Sequence, residues 1–574
     1  YKPKFNISLT ATKFLDDVLG GNHELKAGIE WERNRGDWGF YMKQPLFWNY
    51  WDGSPYYWAA QNGGVRDPEF GDGLLNYAAI GTTATGLGSS DSVSLTSRWG
   101  GFIQDAFTIK RLTISLGLRA DHLTGWAPAS VKGAATDPVA LALGATYFQP
   151  TYGFNPYAEV KYPAWNNAFP YGTIFSPRVG LTYDVFGNGK TAIKATFSRQ
   201  QEGVPTAIIV PPLSWYGFDF NWWDDNGNGK PDVPGVGGDH YQVAFDETPL
   251  NMVSTAYLNS VDPKVKMPYI YEYTLGAEHE LVKNLNVGVR YINKNRKNVL
   301  ASVLWDQETG KYWYTHDQAP QWWIPFTTTV PATGNFPAQQ VTMYFLSNDA
   351  PAEYFRLTNV PQGVMKYHSW EISFDKRLAN GWQLGGSVNF TKSVGNYPVG
   401  YASWASFSTF TSPNSFVNTY GQLPYSRPLL IKLYGTINLP YELMFSFFYL
   451  HADGSPWGRT VTVRPPAGWA EENNVSSTSY NIYVEPPGTR RNEGQDSLDL
   501  RLEKTIKLGP GNLGAYVDIF NLLGAYTLTV AQNPGGTWKP ADVNTTNGTY
   551  TVGSTGLRGF AGSRNFKFSL LYRF

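Results

Sequence analysis

Apolar and polar residues alternate with a period of two through most of the chain, and that pattern predicts strands. Leu112, Ile114, Leu116 and Leu118 fall on one face, with Thr113, Ser115, Gly117, Arg119 and Asp121 on the other. Val179, Leu181, Tyr183 and Val185 oppose Arg178, Gly180, Thr182 and Asp184. Leu285, Val287, Val289 and Tyr291 oppose Asn286, Gly288 and Arg290. Trp382, Leu384, Val388 and Phe390 oppose Gln383, Ser387, Asn389 and Thr391, and Ile431, Leu433, Ile437 and Leu439 oppose Lys432, Tyr434, Thr436 and Asn438. About fifteen such strands are predicted, from Phe5–Phe14 to Asn565–Phe574, most about ten residues or longer, enough for a tilted strand to cross a bilayer.

The connections alternate between short and very long. Short turns fall at Lys110-Arg111, Gly187 to Lys190, Val282 to Asn284, Leu378 to Gly381, Pro440 to Glu442 and Leu508 to Asn512. Long segments cover 36–91, 124–174, 203–267, 305–363, 399–426, 453–493 and 526–562. Soluble domains rarely hold several such loops, whereas outer-membrane barrels place short turns on the periplasmic side and long loops outside. The predicted fold is therefore all-β, a transmembrane antiparallel β-barrel. The chain ends in the same pattern: Phe566, Phe568, Leu570, Tyr572 and Phe574 alternate to the last residue.

Composition sharpens this picture. Charged residues are 16% of the 574, against roughly 25% in soluble proteins, and aromatic residues are also 16%. No run of about 18 apolar residues is present, which excludes a helical membrane protein and leaves a barrel open. The formal net charge is zero with no basic run, so nucleic acid is not an expected partner. Cysteine is absent, which suits passage through an oxidising periplasm.

Several segments carry a family resemblance. Trp99 to Trp126 (WGGFIQDAFTIKRLTISLGLRADHLTGW), Phe175 to Gln200 (FSPRVGLTYDVFGNGKTAIKATFSRQ), His23 to Arg33 and Ser497 to Tyr526 (with Asp518, Phe520 and Asn521) resemble, in order, hairpins of Oar-like TonB-dependent receptors. The resemblance implies a 22-stranded barrel, of which this chain would hold about the last fifteen strands. The first strands, a plug and the TonB box would then lie upstream of Tyr1, where no leader is seen. It also implies active transport coupled to the TonB complex, with outer-membrane lipid and lipopolysaccharide, the barrel assembly machinery and an external ligand as partners. The closing Phe574 strand is similar to the signal that the assembly machinery reads. A passive porin, or a structural or adhesive surface protein, stays open as an alternative.

Candidate chemistry is sparse. Trp38, Tyr41, Trp48, Tyr50 and Trp51, then Trp215, Tyr216, Trp222 and Trp223, then Trp313, Trp322 and Trp323 cluster in the long loops. Their rings could stack on a ligand, form the interfacial girdle or pack loop on loop. The segment DDNGNGKPD (Asp224 to Asp232) has the spacing of a calcium loop, with Asp224, Asn226, Asn228, Lys230 and Asp232 at alternate positions and Gly229 at the turn. The Glu expected at the twelfth position is replaced by Gly235, so a structural Ca²⁺ and a metal-free Asn-Gly turn both fit. Charged residues on the polar faces, including Arg119, Arg178, Lys194, Glu272, Glu278, Arg290, Glu371, Asp375, Arg377, Arg501 and Glu503, would line the lumen. No metalloprotease, nucleophile-elbow or phosphate-loop motif appears, and the seven His are scattered, so no enzyme is expected.

Overall fold

The computed structural model describes residues 4–42, 46–49, 73–78, 88–132, 134, 138–155, 157–168, 172–201, 217–223, 225–228, 232–246, 259–332, 336–397, 410–475, 479–524, 537–539, 549–551 and 563–574. Fifteen strands form one continuous antiparallel sheet in which each pairs with the next in the chain. They are β1 Lys4–Val18, β2 Gly21–Met42, β3 Gly88–Ile109, β4 Leu112–Trp126, β5 Thr173–Asp184, β6 Thr191–Gln201, β7 Tyr269–Val282 and β8 Leu285–Lys297. After them come β9 Met365–Ala379, β10 Trp382–Gly395, β11 Leu429–Leu439, β12 Leu443–Ala452, β13 Gln495–Leu508, β14 Gly511–Phe520 and β15 Asn565–Arg573. Pairing within each hairpin follows from its short turn, which leaves the two strands nowhere else to go, and the hairpins then pair in chain order. Tight turns are made where left-handed backbone is tolerated, as at Asn284 (φ 71) and Asn380–Gly381 (φ 55 and 81). Among the described residues no pairing joins β1 to β15, so the sheet is open at both of these strands.

The sheet has no dry side of the kind a sandwich would need. Leu116 and Leu118 are 52% and 45% exposed, and Leu112 and Ile114 are partly exposed. Phe566, Phe568, Leu570 and Tyr572 are exposed on the same face as Ile519 and Val517. One face of the sheet is thus a wall of open apolar side chains, as a lipid-facing surface requires. The other face is polar and cross-linked by charge pairs.

All seven long connections leave from one edge of the sheet and all seven short turns from the other. The strands run further than sequence periodicity indicates. β2 and β3 pair out to Met42 and Gly88, so the first connection is 43–87 and Trp38 and Tyr41 sit on strand backbone paired with Ser92 and Ser89. The cause is continued backbone pairing past the point where side-chain alternation fades. The long connections also carry structure of their own. Leu300–Trp305 pairs with Tyr354–Asn359, Trp323–Val330 with Gln339–Leu346, and Thr460–Val463 with Tyr480–Tyr483. Among the described residues, no helix is long and apolar enough to cross a membrane.

Candidate functional site: an external cap above a charged lumen

Three connections, 298–364, 396–428 and 453–494, fold into one cap with two dry cores. The first core gathers Val303, Leu304, Trp313, Trp323, Val360 and Phe410. The second joins Phe326, Val341 and Phe345 to Val461, Val463 and Ile482. Side chains lock the connections together. The Asn414 amide accepts from the Tyr344 N–H and donates to its carbonyl, both at 2.8 Å, so it imitates a strand partner. The Tyr397 hydroxyl donates to the Leu300 carbonyl at 3.0 Å. Arg459, 1% exposed, donates to the Pro337 and Pro331 carbonyls at 3.0 and 2.9 Å. The buried Glu485 carboxylate accepts from the Arg459 N–H at 3.0 Å and from Arg490 Nε at 2.6 Å. The Arg459 and Arg490 guanidinium carbons lie 5.5 and 4.2 Å from the centre of the Phe336 ring.

A cavity of about 320 Å³ opens between connections 396–428 and 453–494, at the bottom of the size range of small-ligand sites. Its described lining combines the rings of Trp457, Tyr480 and Tyr483 with the neutral polar side chains of Asn396, Asn414, Gln422 and Asn481. None of the described lining residues is charged. Burial, aided by the Glu353 carboxylate, pushes the Tyr480 hydroxyl up to about 12, so it stays a neutral donor. The Trp457 indole N–H is buried with no acceptor among the described residues. Such a lining suits an uncharged ligand that offers hydrogen-bond acceptors and a flat face.

The predicted site residues divide. Trp313 and Trp323 are 1% and 2% exposed, and Trp323 Nε1 donates to the Trp313 carbonyl at 2.6 Å. They pack loop on loop and offer no ligand surface, which corrects their place in a binding vestibule. Trp322 is partly buried against the same core, edge-on to Trp313. Trp223 is buried and stacked on His240 at 4.4 Å. Trp48 and Trp222 lie on short strands, Leu46–Asn49 and Gly217–Trp223, of a separate four-stranded sheet. Tyr50, Trp51, Trp215, Tyr216, Asp224 and Lys230 lie outside the described residues. In the candidate calcium loop, the Asn226 and Asn228 amide nitrogens both donate to the Asp232 carboxylate, the latter at 2.9 Å. A cation would need both amides turned to present oxygen. The cavity residues Trp457, Tyr480 and Tyr483 escaped the sequence reading, because no local motif marks side chains that only distant loops bring together.

The polar face of the sheet carries much of the predicted lumen charge as pairs. Arg119 donates to Glu30 at 2.9 Å and to Asp121 at 2.7 Å, and Arg98 reaches Glu30 and Glu32, each at 3.0 Å. Gly100 makes room for this, since a Cβ there would stand 2.4 Å from the Arg119 Nη2. Lys194–Glu278 and Arg290–Glu371 pair at 2.7 Å, Lys294–Glu272 at 2.9 Å, and Arg501–Asp518 at 2.5 Å. For Arg178, Asp375, Arg377 and Glu503, no ion pair forms among the described residues.

Comparison with known proteins agrees with this architecture. Residues 7–448 match the family model described as an outer membrane beta barrel domain. The TonB-dependent transporter Oar of Myxococcus xanthus is 23% identical over 585 residues, covering 94% of this chain and 46% of that protein. The outer membrane transporter YddB from Escherichia coli shares the fold with a TM-score of 0.50 at 12% identity, over 99% of this chain and 54% of that one. The siderophore receptor PiuA from Acinetobacter baumannii gives a TM-score of 0.50 at 11% identity, over 100% of this chain and 55% of that one. The chain spans about half the length of the relatives it matches, and those relatives are transporters and receptors rather than enzymes. A sheet coated with apolar residues on one face, charged on the other and capped at one edge is the expected form of the family to which this chain belongs: it is an outer membrane β-barrel protein related to the Oar transporter.

Proposed function

We propose that this chain forms the larger part of the barrel of a TonB-dependent transporter, whose ligand is first captured by the external cap. The observation that carries the reading is the consolidation of three long connections into a cored cap containing a neutral, aromatic-lined cavity. A rigid cap presents side chains at fixed positions, which lowers the ordering cost of capture. The open edges at β1 and β15 support a barrel completed by further strands, and the length of the relatives supports a plug and TonB contact outside these 574 residues. The chain's own charge-paired lumen would then surround the plug, and the energy for opening would come from the TonB partner.

The test uses the full-length protein in its native host. Loss of TonB should abolish uptake, whereas uptake that persists without TonB would return the chain to a passive porin. Trp457→Ala, in the cavity wall, should weaken capture of the transported ligand roughly tenfold, about 1.4 kcal/mol. Unchanged capture would remove the cavity from the proposal and leave the TonB result standing.

A further inference from the structure

The cavity in the cap is rich in hydrogen-bond donors, and a cation outside its described lining fixes that polarity. Gln422 Oε1 accepts from the Ser426 hydroxyl at 3.2 Å and from Arg491 Nη2. A guanidinium can only donate, so the Arg491 contact sets which end of the Gln422 amide is oxygen. The Nε2 end, which can only donate, has no acceptor among the described residues and is what Gln422 keeps for the cavity. Gly488, at φ 94, makes the room, since a Cβ there would stand 2.7 Å from the Gln422 Cβ and Cγ. The Trp457 indole N–H is a second donor of this kind.

Other polar groups of the wall serve the scaffold. Asn396 accepts from the Val364 N–H at 2.8 Å and donates to the Gln362 carbonyl at 2.9 Å, and Asn414 is tied to Tyr344. Burial raises the Tyr483 hydroxyl as it does the Tyr480 hydroxyl, so both stay protonated and can donate or accept. This inventory narrows the ligand. An anionic chelate or a phosphate would meet no cation in the described lining, and a cation would meet no carboxylate there. A purely apolar ligand would leave the indole and amide N–H groups dry and unpaired. An extended peptide would add to the edge of the Tyr480–Tyr483 strand, but the Asn418 amide already donates to the Tyr483 carbonyl at 3.0 Å and caps that edge.

We propose that the cavity holds a neutral sugar residue, so that the ligand captured by the cap is an uncharged glycan. A sugar has ring and hydroxyl oxygens that accept from Gln422 Nε2 and Trp457 Nε1, and hydroxyls that donate to the tyrosine oxygens. Its apolar C–H face lies on an aromatic ring, as the rings of Trp457, Tyr480 and Tyr483 provide. The inference rests on the reading of the cap as the capture site and adds the class of ligand to it.

The test presents full-length protein in detergent to an array of neutral oligosaccharides of glucose, mannose, galactose and xylose, to oligogalacturonates and to uncharged peptides. The best binder of each class is then titrated by calorimetry. Wild type should bind a neutral oligosaccharide at least tenfold tighter than any oligogalacturonate or peptide. Gln422→Glu removes the donor while its carboxylate can still meet Arg491, and it should weaken neutral-sugar binding at least tenfold. Trp457→Phe keeps a ring and loses the N–H, and it should weaken binding about three- to tenfold, the loss of one hydrogen bond. Hydrogen-exchange protection across Trp323–Val330 identifies a folded cap, and if Gln422→Glu lacks it, Trp457→Phe decides. Failure of every neutral oligosaccharide to bind, a preference for oligogalacturonate or peptide, or undiminished binding in the folded variants would overturn the proposal. If Trp457→Ala still weakens capture of the transported ligand in that event, the cavity stays the capture site and only the sugar is lost.

Discussion

The barrel wall and the external cap are built from similar side chains under opposite rules. In the wall, Leu116, Ile372 and Phe568 are exposed at 52%, 52% and 75%, and the charges face inward as pairs. In the cap, Phe345 and Val463 are fully buried, and buried polar side chains such as Asn414 and Arg459 are tied to backbone. The solvent makes the difference. Lipid solvates the apolar face of the wall, so its stability rests on the hydrogen-bonded ladder and on exclusion of charge from the lipid face. The cap stands in water and must bury apolar surface as any soluble domain does.

Core deletion should separate the two regions most sharply. Phe345→Ala should destabilise the cap by about 3–5 kcal/mol. Hydrogen exchange should quicken across Trp323–Val330 and Gln339–Leu346, while β1 to β15 keep their protection. Faster exchange throughout the barrel would mean that the two regions unfold as one.

The converse change strikes the wall. Leu116→Arg on the lipid face should cost about 2–4 kcal/mol in folding into lipid, whereas Ser115→Arg, one residue away on the polar face, should cost far less. Urea titration of the full-length barrel in vesicles measures both, and equal costs would show that the two faces do not meet different solvents.

A third, smaller effect falls where connection 202–268 meets the cap and depends on pH. Burial pushes the Asp262 carboxyl up, but hydrogen bonds from the Tyr312 hydroxyl, the Lys264 amide and the Thr358 hydroxyl, with the nearby Arg356 charge, bring it below its ordinary 3.8. A depressed carboxyl stabilises the fold above that ordinary value, and the contribution disappears as pH falls through the folded value. Acidification from pH 5 towards 2 should therefore loosen the junction of connections 202–268 and 298–364. Asp262→Asn should flatten that acid limb in a melting series, and an unchanged limb would discount the interaction.

Least is expected from a single lumen pair. Lys194 and Glu278 are 45% and 59% exposed, so Lys194→Ala should shift stability by no more than about 1 kcal/mol in the same urea titration. A larger loss would mean that the lumen is drier than these exposures indicate.

How much was legible in the chain differs between the same two regions. The wall was readable because a period of two, repeated in pairs with short turns between, allows little besides neighbouring antiparallel strands. Leu112 to Leu118 and Phe566 to Phe574 could be assigned a face before any coordinates, and the resemblance of Trp99 to Trp126 added the family. The cap was not readable in this way. Trp313 and Trp323 look like exposed binding rings in a loop, and only the return of Val360 and Phe410 from distant segments buries them. Arg459 and Glu485 are 26 residues apart, and nothing local marks them as a buried pair. Alternation is a local property dictated by the two environments on either side of a strand, so the chain alone settled the wall. Which loops share a core and where the cavity opens depend on contacts between distant segments, and those only the tertiary structure decided.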